Sequence, residues 1–592
     1  MSVPRQQSRS SRGDRESLQA CHGAALLEPA GGEVGEVRKS GRYLWLSVIQ
    51  HAIPVALMLA LVALLLKHTV NTNDGPVHVA FAHVLLTWGQ AGNPLQHAAY
   101  VLHLRANPNV AVYLLMVVFM RVFSPEMTES IVQALSVVGP VFMAWFALRM
   151  ANKENDWLAI FLIPLSLNQM FFLGLYSFCS SIAAFFLTIG IFFWLQKAPS
   201  WRRAGALGGS LIAAYFCHAG GFVMAWMGVA SLSGVLVLLD WRRFGQLLKA
   251  LRGQRHALCA LLAPFPVGAF FLASADKTAT EYLVPLKDRL KQIGTMHLLS
   301  VNYPMRDRYV ALALCVCLVA VFVIVTVRIV RGHARLRRNQ RDLALAAVGA
   351  TVVSVAIALA FPDLAGGGWT HFRRFELFPY YWVLVVLAFD RYPRRIAALL
   401  LTAGTLASVM LMYSMVMRQA TVREQMTPLA EADGLIGNHC TVLPVVLERR
   451  PEEWTKLPAW TDFEPYYQSA SRLELHGDRV VLFNYLARLA PYPVHFKPEV
   501  EPQSQLFRWK PLQYKTAITQ IDIPHFESVS GLPVDYILQW GRVEAKPLLA
   551  PEIKKAISNY QAVYHSEDGR VVLYHHNGPY NTMCVAPGAP AH

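Results

Sequence analysis

Apolar residues in this chain fall into long uninterrupted runs separated by short polar or basic breaks, a pattern of helices sized for a bilayer. The first run, Leu44 to Leu66, is long enough to cross ~30 Å of hydrocarbon at 1.5 Å per residue. No small-residue cleavage site follows it, so it reads as an anchor and not as a removed signal. Further crossings are predicted at 129–149, 157–173, 178–196, 204–218, 221–239, 257–274, 309–330, 343–361, 376–390 and 396–417, eleven in all. Between 204 and 239 the break is Cys217-His218-Ala219-Gly220-Gly221, where paired glycines suit a tight turn. Val110 to Phe123, bracketed by Asn107-Pro108 and Ser124-Pro125, is too short to span and is predicted to be a surface or re-entrant helix.

Basic residues set the orientation. Lys197–Arg203, Asp240–Arg255, Arg328–Arg341 and Asp390–Arg395 carry three, five, six and three of them, which the positive-inside bias assigns to the cytoplasm. With the N-terminus inside, the first long polar interruption, 67–109, then faces outward, and eleven crossings leave the C-terminal segment outside as well. Within that interruption Val77 to Thr87 has helical apolar spacing, with His78 and His83 between, and is predicted to lie amphipathically at the interface.

From Arg418 onward the apolar runs shorten and alternate with charged and aromatic residues, the mark of a folded soluble domain of mixed α/β type. Thr441–Val446, Val534–Trp540, Ala562–His565 and Arg570–His575 read as strands, the last two joined by the turn Ser566-Glu567-Asp568-Gly569, and Leu482–Ala490 reads as a helix. The chain is therefore expected to comprise a disordered cytoplasmic tail (1–43), a polytopic α-helical membrane domain (44–417) with its outward loop 67–109, and an extracytoplasmic α/β domain (418–592).

Composition narrows the class. Of 592 residues 54% are hydrophobic and 16% charged, which excludes an ordinary soluble globule. The net charge of +16 sits in the short inter-helix loops, so it reports topology and not nucleic-acid binding. Of the eight cysteines only Cys440 and Cys584 fall in the outer domain, where they are either a disulfide or two isolated thiols.

The candidate chemistry lies on the outward loops. Asp74, in Asn73-Asp74-Gly75-Pro76-Val77-His78, is the sole acid between 67 and 109. The later outward turns hold Asn168, then Gly174-Leu175-Tyr176-Ser177-Phe178, His218, and Gly366–Phe375 with His371, Arg373 and Arg374. In this order the segments resemble polytopic glycosyltransferases of the C-type, or GT-C, fold, over residues 44 to about 445. The resemblance implies transfer of a sugar from a polyprenyl-phosphate carrier to a glycan, lipid or protein acceptor on the outer face of the membrane, by an inverting general-base mechanism. It implies Asp74 as that base. His78, four residues on, is placed to share its helix face, and Arg373 or Arg374 is placed by topology to meet the charge on the lipid phosphate. His371, Tyr176, Asn168 and His218 are the further substrate-binding candidates on the outward turns. The turn 168–178 lacks the second acid that many such enzymes carry, and a lone carboxylate holds a divalent ion poorly, so neither a metal nor any other cofactor is expected. The expected location is a bacterial inner membrane.

Each residue also has a structural reading. Asp74 before Gly75-Pro76 suits a helix cap, Arg373 and Arg374 suit snorkelling to the interface, and lone histidines are more often structural than catalytic. As alternatives to an enzyme, the chain reads as a polytopic transporter or a noncatalytic membrane assembly protein.

Overall fold

The computed structural model describes residues 33–274, 283–334, 336–363, 371–450, 463–489, 492–512, 515–542, 550–578 and 584. The chain divides into two units, 1–50 and 51–592. In the first, the described residues are helical from Glu33, inside the segment expected to be a tail. The run from Val37 holds no proline before Pro54. This helix continues to Lys67.

Seven helices among the described residues are long and apolar enough to cross a membrane: Val48–Lys67 within the first helix, Pro125–Ala151, Tyr176–Lys197, Ala219–Phe244, Met305–Val330, Arg338–Ala360 and Arg394–Asp433. The other four expected crossings are shorter or broken. The segment 157–173 becomes Asp156–Phe161, Leu162–Ser166 and Gln169–Phe172, because Pro164 lacks an amide hydrogen and Asn168 caps a fresh turn. Around Pro264 the run 257–274 divides into Arg255–Leu262 and Phe265–Ser274. The expected span 376–390 contains only Phe378–Leu387, buried throughout, and 204–218 is the 17-residue helix Trp201–Cys217. The last helix runs past 417 to Asp433, so the expected domain boundary falls inside it.

Val110–Met120 is an 11-residue helix with Val112, Tyr113 and Met116 inward and Leu114 and Val118 exposed, too short to span, as its length predicted. Gly75–Thr87 does not lie flat at an interface as expected. Val77, Val79, Ala80, Phe81, Ala82 and Val84 are all fully buried, because the C-terminal domain covers the side that would have faced water.

That domain is built on a five-stranded sheet, with helices and two strand pairs around it. We label the strands β1 (Tyr100–Leu102), β2 (Thr441–Val446), β3 (Val480–Val481), β4 (Val494–Phe496), β5 (Phe507–Leu512), β6 (Lys515–Ile521), β7 (Tyr536–Trp540), β8 (Tyr560–His565) and β9 (Val571–His576). The main sheet has the order β3-β2-β7-β9-β8, with β2 parallel to β3 and β7 and the β8–β9 hairpin antiparallel. Gly569 closes that hairpin at φ +67°, a conformation glycine adopts without strain. Of Leu482–Ala490, expected to be a helix, the described residues to Leu489 are irregular apart from a short 3₁₀ turn at Tyr485–Arg488, whose Ala487 amide Asn484 caps, and Ala490 lies outside the described residues. Cys440 and Cys584 form a disulfide, tying the start of β2 to the chain beyond β9.

The two parts are joined through the first loop. In β1 the loop supplies a strand that pairs antiparallel with β4, Tyr100 opposite Phe496. Asp478 accepts hydrogen bonds from the amides of Leu95 (2.8 Å) and Gln96 (2.9 Å), and the Tyr100 hydroxyl donates to Glu474 at 2.6 Å. Loop and C-terminal domain share one apolar core, while other residues of the main sheet, among them Val442, Tyr536, Leu538 and Leu573, belong to the core of the helix bundle.

Candidate functional site

The backbone around Asp74 is fixed from several directions. Gln133, on the helix Pro125–Ala151, accepts from the Val70 amide (2.9 Å) and donates to the Val70 carbonyl (2.7 Å). One residue on, Gln419 accepts from the Asn71 amide at 2.9 Å. The amides of Asn73 and Asp74 then donate to the carbonyls of Phe172 (3.2 Å) and Leu173 (3.1 Å), in the turn 168–178. Only glycines allow this approach. Gly174 sits at φ +78°, and a Cβ there would come within 2.5 Å of the Gly75 nitrogen, while one on Gly75 would lie 2.2 Å from Thr72 Oγ1.

Below this turn lies a buried polar cluster. The Tyr176 hydroxyl meets Thr72 Oγ1 at 3.0 Å, donates to Glu129 Oε1 at 3.1 Å and accepts from Gln133 at 2.8 Å. Glu129, with no exposed surface, pairs with Arg472 of the C-terminal domain at 2.6 Å. Tyr176 therefore supports the Asp74 turn from beneath.

Asp74 occupies the N-cap position of Gly75–Thr87, yet its side chain makes no capping hydrogen bond. Instead Oδ2 accepts from the Tyr485 hydroxyl at 2.9 Å. Asp74 is 6% exposed, and burial pushes its carboxyl up to about 7, against the opposing pull of the Tyr485 donor and the positive charge of Arg374. A carboxyl spared from capping and held near neutral is able to exchange a proton at working pH.

His78 does not pair with the Asp74 side chain. Its Nδ1 lies 2.5 Å from the Tyr113 hydroxyl, and burial lowers the ring to about 4, so it is neutral at pH 7. It belongs to an aromatic wall in which Tyr113, Tyr176 and Tyr492 stand 5.5, 5.9 and 6.1 Å from it, centroid to centroid. Tyr467 extends this wall to Tyr485 at 6.0 Å.

Arg374 shares the pocket. Its charge acts on Asp74, and the charges of Asp74 and Asp363 act on it in turn. Nη1 lies 3.0 Å from His218 Nε2, while His218 Nδ1 already accepts from the Gly220 amide, and a neutral imidazole accepts at one nitrogen only. Arg374 Nε is buried and has no hydrogen-bond partner among the described residues, which leaves a guanidinium donor for an anionic oxygen.

Of the residues singled out in the sequence, Asp74, Arg374 and His218 thus converge, with His78 and Tyr176 packed as wall and floor. Asn168 is fully buried and occupied within its own turn, accepting from the Met170 amide (2.8 Å) and donating to the Leu165 carbonyl (2.7 Å). Arg373 is half-buried beside Arg374, and residues 366–370 and the side chain of His371 lie outside the described residues. Tyr485, Tyr492, Glu129 and Arg472 were missed. Tyr485 stands 411 residues from Asp74, and no local spacing signals such a contact. Among the described residues the one acidic, thiol or imidazole group close enough to share an ion is Cys440, Asp535 and Cys584, and its two sulfurs are bonded to each other.

Fold and pocket together define a polytopic α-helical membrane protein whose C-terminal α/β domain closes over a buried carboxylate on the first loop. No protein-family model matches the chain, and neither does any curated protein. Among solved structures the apo crystal structure of ArnT from Cupriavidus metallidurans is similar in outline, with a TM-score of 0.49 and 11% identity over 88% of this chain and 97% of that one. At that score and identity the likeness extends to neither substrate nor residue roles.

Proposed function

We propose that this chain is a membrane glycosyltransferase of the GT-C type, moving a sugar from a polyprenyl-phosphate carrier to an acceptor hydroxyl at the extracytoplasmic face. The observation that carries the reading is the state of Asp74: buried, not capping, held by a single phenol and poised near 7. In the reaction the acceptor oxygen forms a bond to the anomeric carbon while its proton passes to Asp74 Oδ1 or Oδ2. The bond from that carbon to the phosphate oxygen breaks, its electron pair leaves with the lipid phosphate, and the anomeric configuration inverts. Arg374, with an unpartnered Nε, meets the charge that develops on the phosphate. The aromatic wall of Tyr113, Tyr485 and Tyr492 offers the apolar faces and hydroxyls that pyranose rings require. The donor chain lies in the membrane beside the bundle, the N-terminus is cytoplasmic, and the C-terminal domain is periplasmic or extracellular.

Asp74→Asn keeps shape and removes the base. Transfer from a polyprenyl-phosphate sugar is expected to fall ~10²–10⁴-fold with protein level and thermal stability unchanged. Near-normal transfer by the variant removes Asp74 from the mechanism. A transporter or an assembly protein has no such dependence on one loop carboxylate.

A further inference from the structure

Away from the Asp74 pocket, at the basic end of the bundle, Leu247–Gly253 and Arg255–Leu262 fold back against the helix Ala219–Phe244 and enclose a cleft of about 600 Å³. Trp226, Leu248, Leu258 and Leu262 form its walls, and Arg252 and Arg255 are the charged residues that line it. The Trp226 indole is fixed in place by donating to the Leu261 carbonyl at 2.9 Å. The cleft opens sideways, since Leu248 is 71% and Leu262 65% exposed.

The level of the arginines follows from their neighbours. His256 packs on Trp201 at 4.6 Å, and Gln254 pairs with Gln196 at 2.9 Å, so Arg255 stands where the basic segments Lys197–Arg203 and Asp240–Arg255 meet. Among the described residues neither Arg252 nor Arg255 has an ion pair, whereas nearby Arg243 is held by Asp240 and Asp342. None of the lining residues is acidic.

We propose that this cleft binds an anionic phospholipid, with an acyl chain along Trp226, Leu258 and Leu262 and the headgroup phosphate on Arg252 and Arg255. A free anion would use the arginines and leave the apolar wall uncovered. A peptide would bury backbone amides against side chains that offer them no partner. Two basic residues at a membrane surface favour anionic over zwitterionic lipid roughly tenfold to thirtyfold.

The test uses the full-length protein in phosphatidylcholine vesicles carrying phosphatidylglycerol or phosphatidylcholine with brominated acyl chains, which quench nearby tryptophans. The difference between wild type and Trp226→Phe isolates the signal of Trp226. Brominated phosphatidylglycerol is expected to quench it at about one-tenth the mole fraction needed for brominated phosphatidylcholine. That preference should vanish in Arg252→Gln/Arg255→Gln and persist in Arg252→Lys/Arg255→Lys. Equal quenching of the Trp226 difference signal by the two lipids overturns the proposal whether or not the arginine variants fold. So does displacement of the brominated anionic lipid by inorganic phosphate, which would mark a simple anion site.

Discussion

Replacing Tyr485 by phenylalanine deletes one hydroxyl and with it the hydrogen bond to Asp74 Oδ2. Because that bond favours the charged carboxylate, its loss drives the Asp74 pKa upward from about 7. A hydrogen bond to a charged group contributes about 1.5–3 kcal/mol, and one pKa unit corresponds to about 1.4 kcal/mol, so the rise is about 1–2 units. At pH 7 the fraction of Asp74 able to accept a proton then drops from about one half to roughly 0.01–0.1, and the transfer rate falls about 5–50-fold. The deficit is one of protonation, so it shrinks as pH rises and largely disappears near pH 9–10. The assay is the pH dependence of kcat/KM for sugar transfer from a polyprenyl-phosphate donor, wild type against Tyr485→Phe. An acid limb displaced upward by about 1–2 units fits the reasoning. A uniform loss at every pH would mean that Tyr485 acts by shape or substrate contact, and an unchanged profile would mean that it does not touch the base in solution.

Three further outcomes follow from the architecture. Glu129→Gln leaves Arg472 without its 2.6 Å partner and is expected to cost about 3–5 kcal/mol, read as a lower unfolding temperature while the acid limb of the pH profile stays put; an unchanged melt would show the pair to be marginal. Reporter fusions after Arg203 and after Arg418 are expected on opposite sides of the membrane. The four long helices from Ala219 onward would by themselves return both to one side, so that result would show that Trp201–Cys217, the Arg255–Ser274 pair and Phe378–Leu387 do not together add three crossings. Cys440→Ser with Cys584→Ser opens a connection spanning 144 residues and should lower the stability of the C-terminal domain by about 2–5 kcal/mol, measured by urea denaturation; no change in midpoint would count against it.

Asp74 was legible because it is the sole acid in a loop placed by basic-residue counting, and the α/β class of the C-terminal domain because β2, β7 and the β8–β9 hairpin announce themselves by strand-like runs and a Gly569 turn. What hydropathy missed has physical causes. A window tuned to apolar runs reads 157–173 as one span, since Pro164 and Asn168 interrupt the backbone without lowering hydropathy much. The same window starts a span at 129, although Ser124 caps the helix at Pro125 and brings Glu129 into a buried ion pair. Gly75–Thr87 has helical spacing either way, and only the domain that covers it decides between an interfacial and a buried helix. Tyr485 lies in a segment whose pattern suggested a helix, Tyr492 and Arg472 in segments with no periodic signal, and the meaning of all three comes from distant partners.

The pairing of β1 with β4 has a consequence for synthesis. Asp74 leaves the ribosome 411 residues ahead of Tyr485, a delay of about 20–80 s at 5–20 residues per second. Throughout that interval β1 is an open strand edge, and the apolar helix Gly75–Thr87 has no C-terminal domain to cover it. A chain that ends between Asp433 and Tyr485 therefore carries the long helices with an uncovered apolar loop, and its Asp74 lacks the Tyr485 hydroxyl. The last part of the protein to be made is the part that both covers its first loop and supplies the hydrogen bond to Asp74.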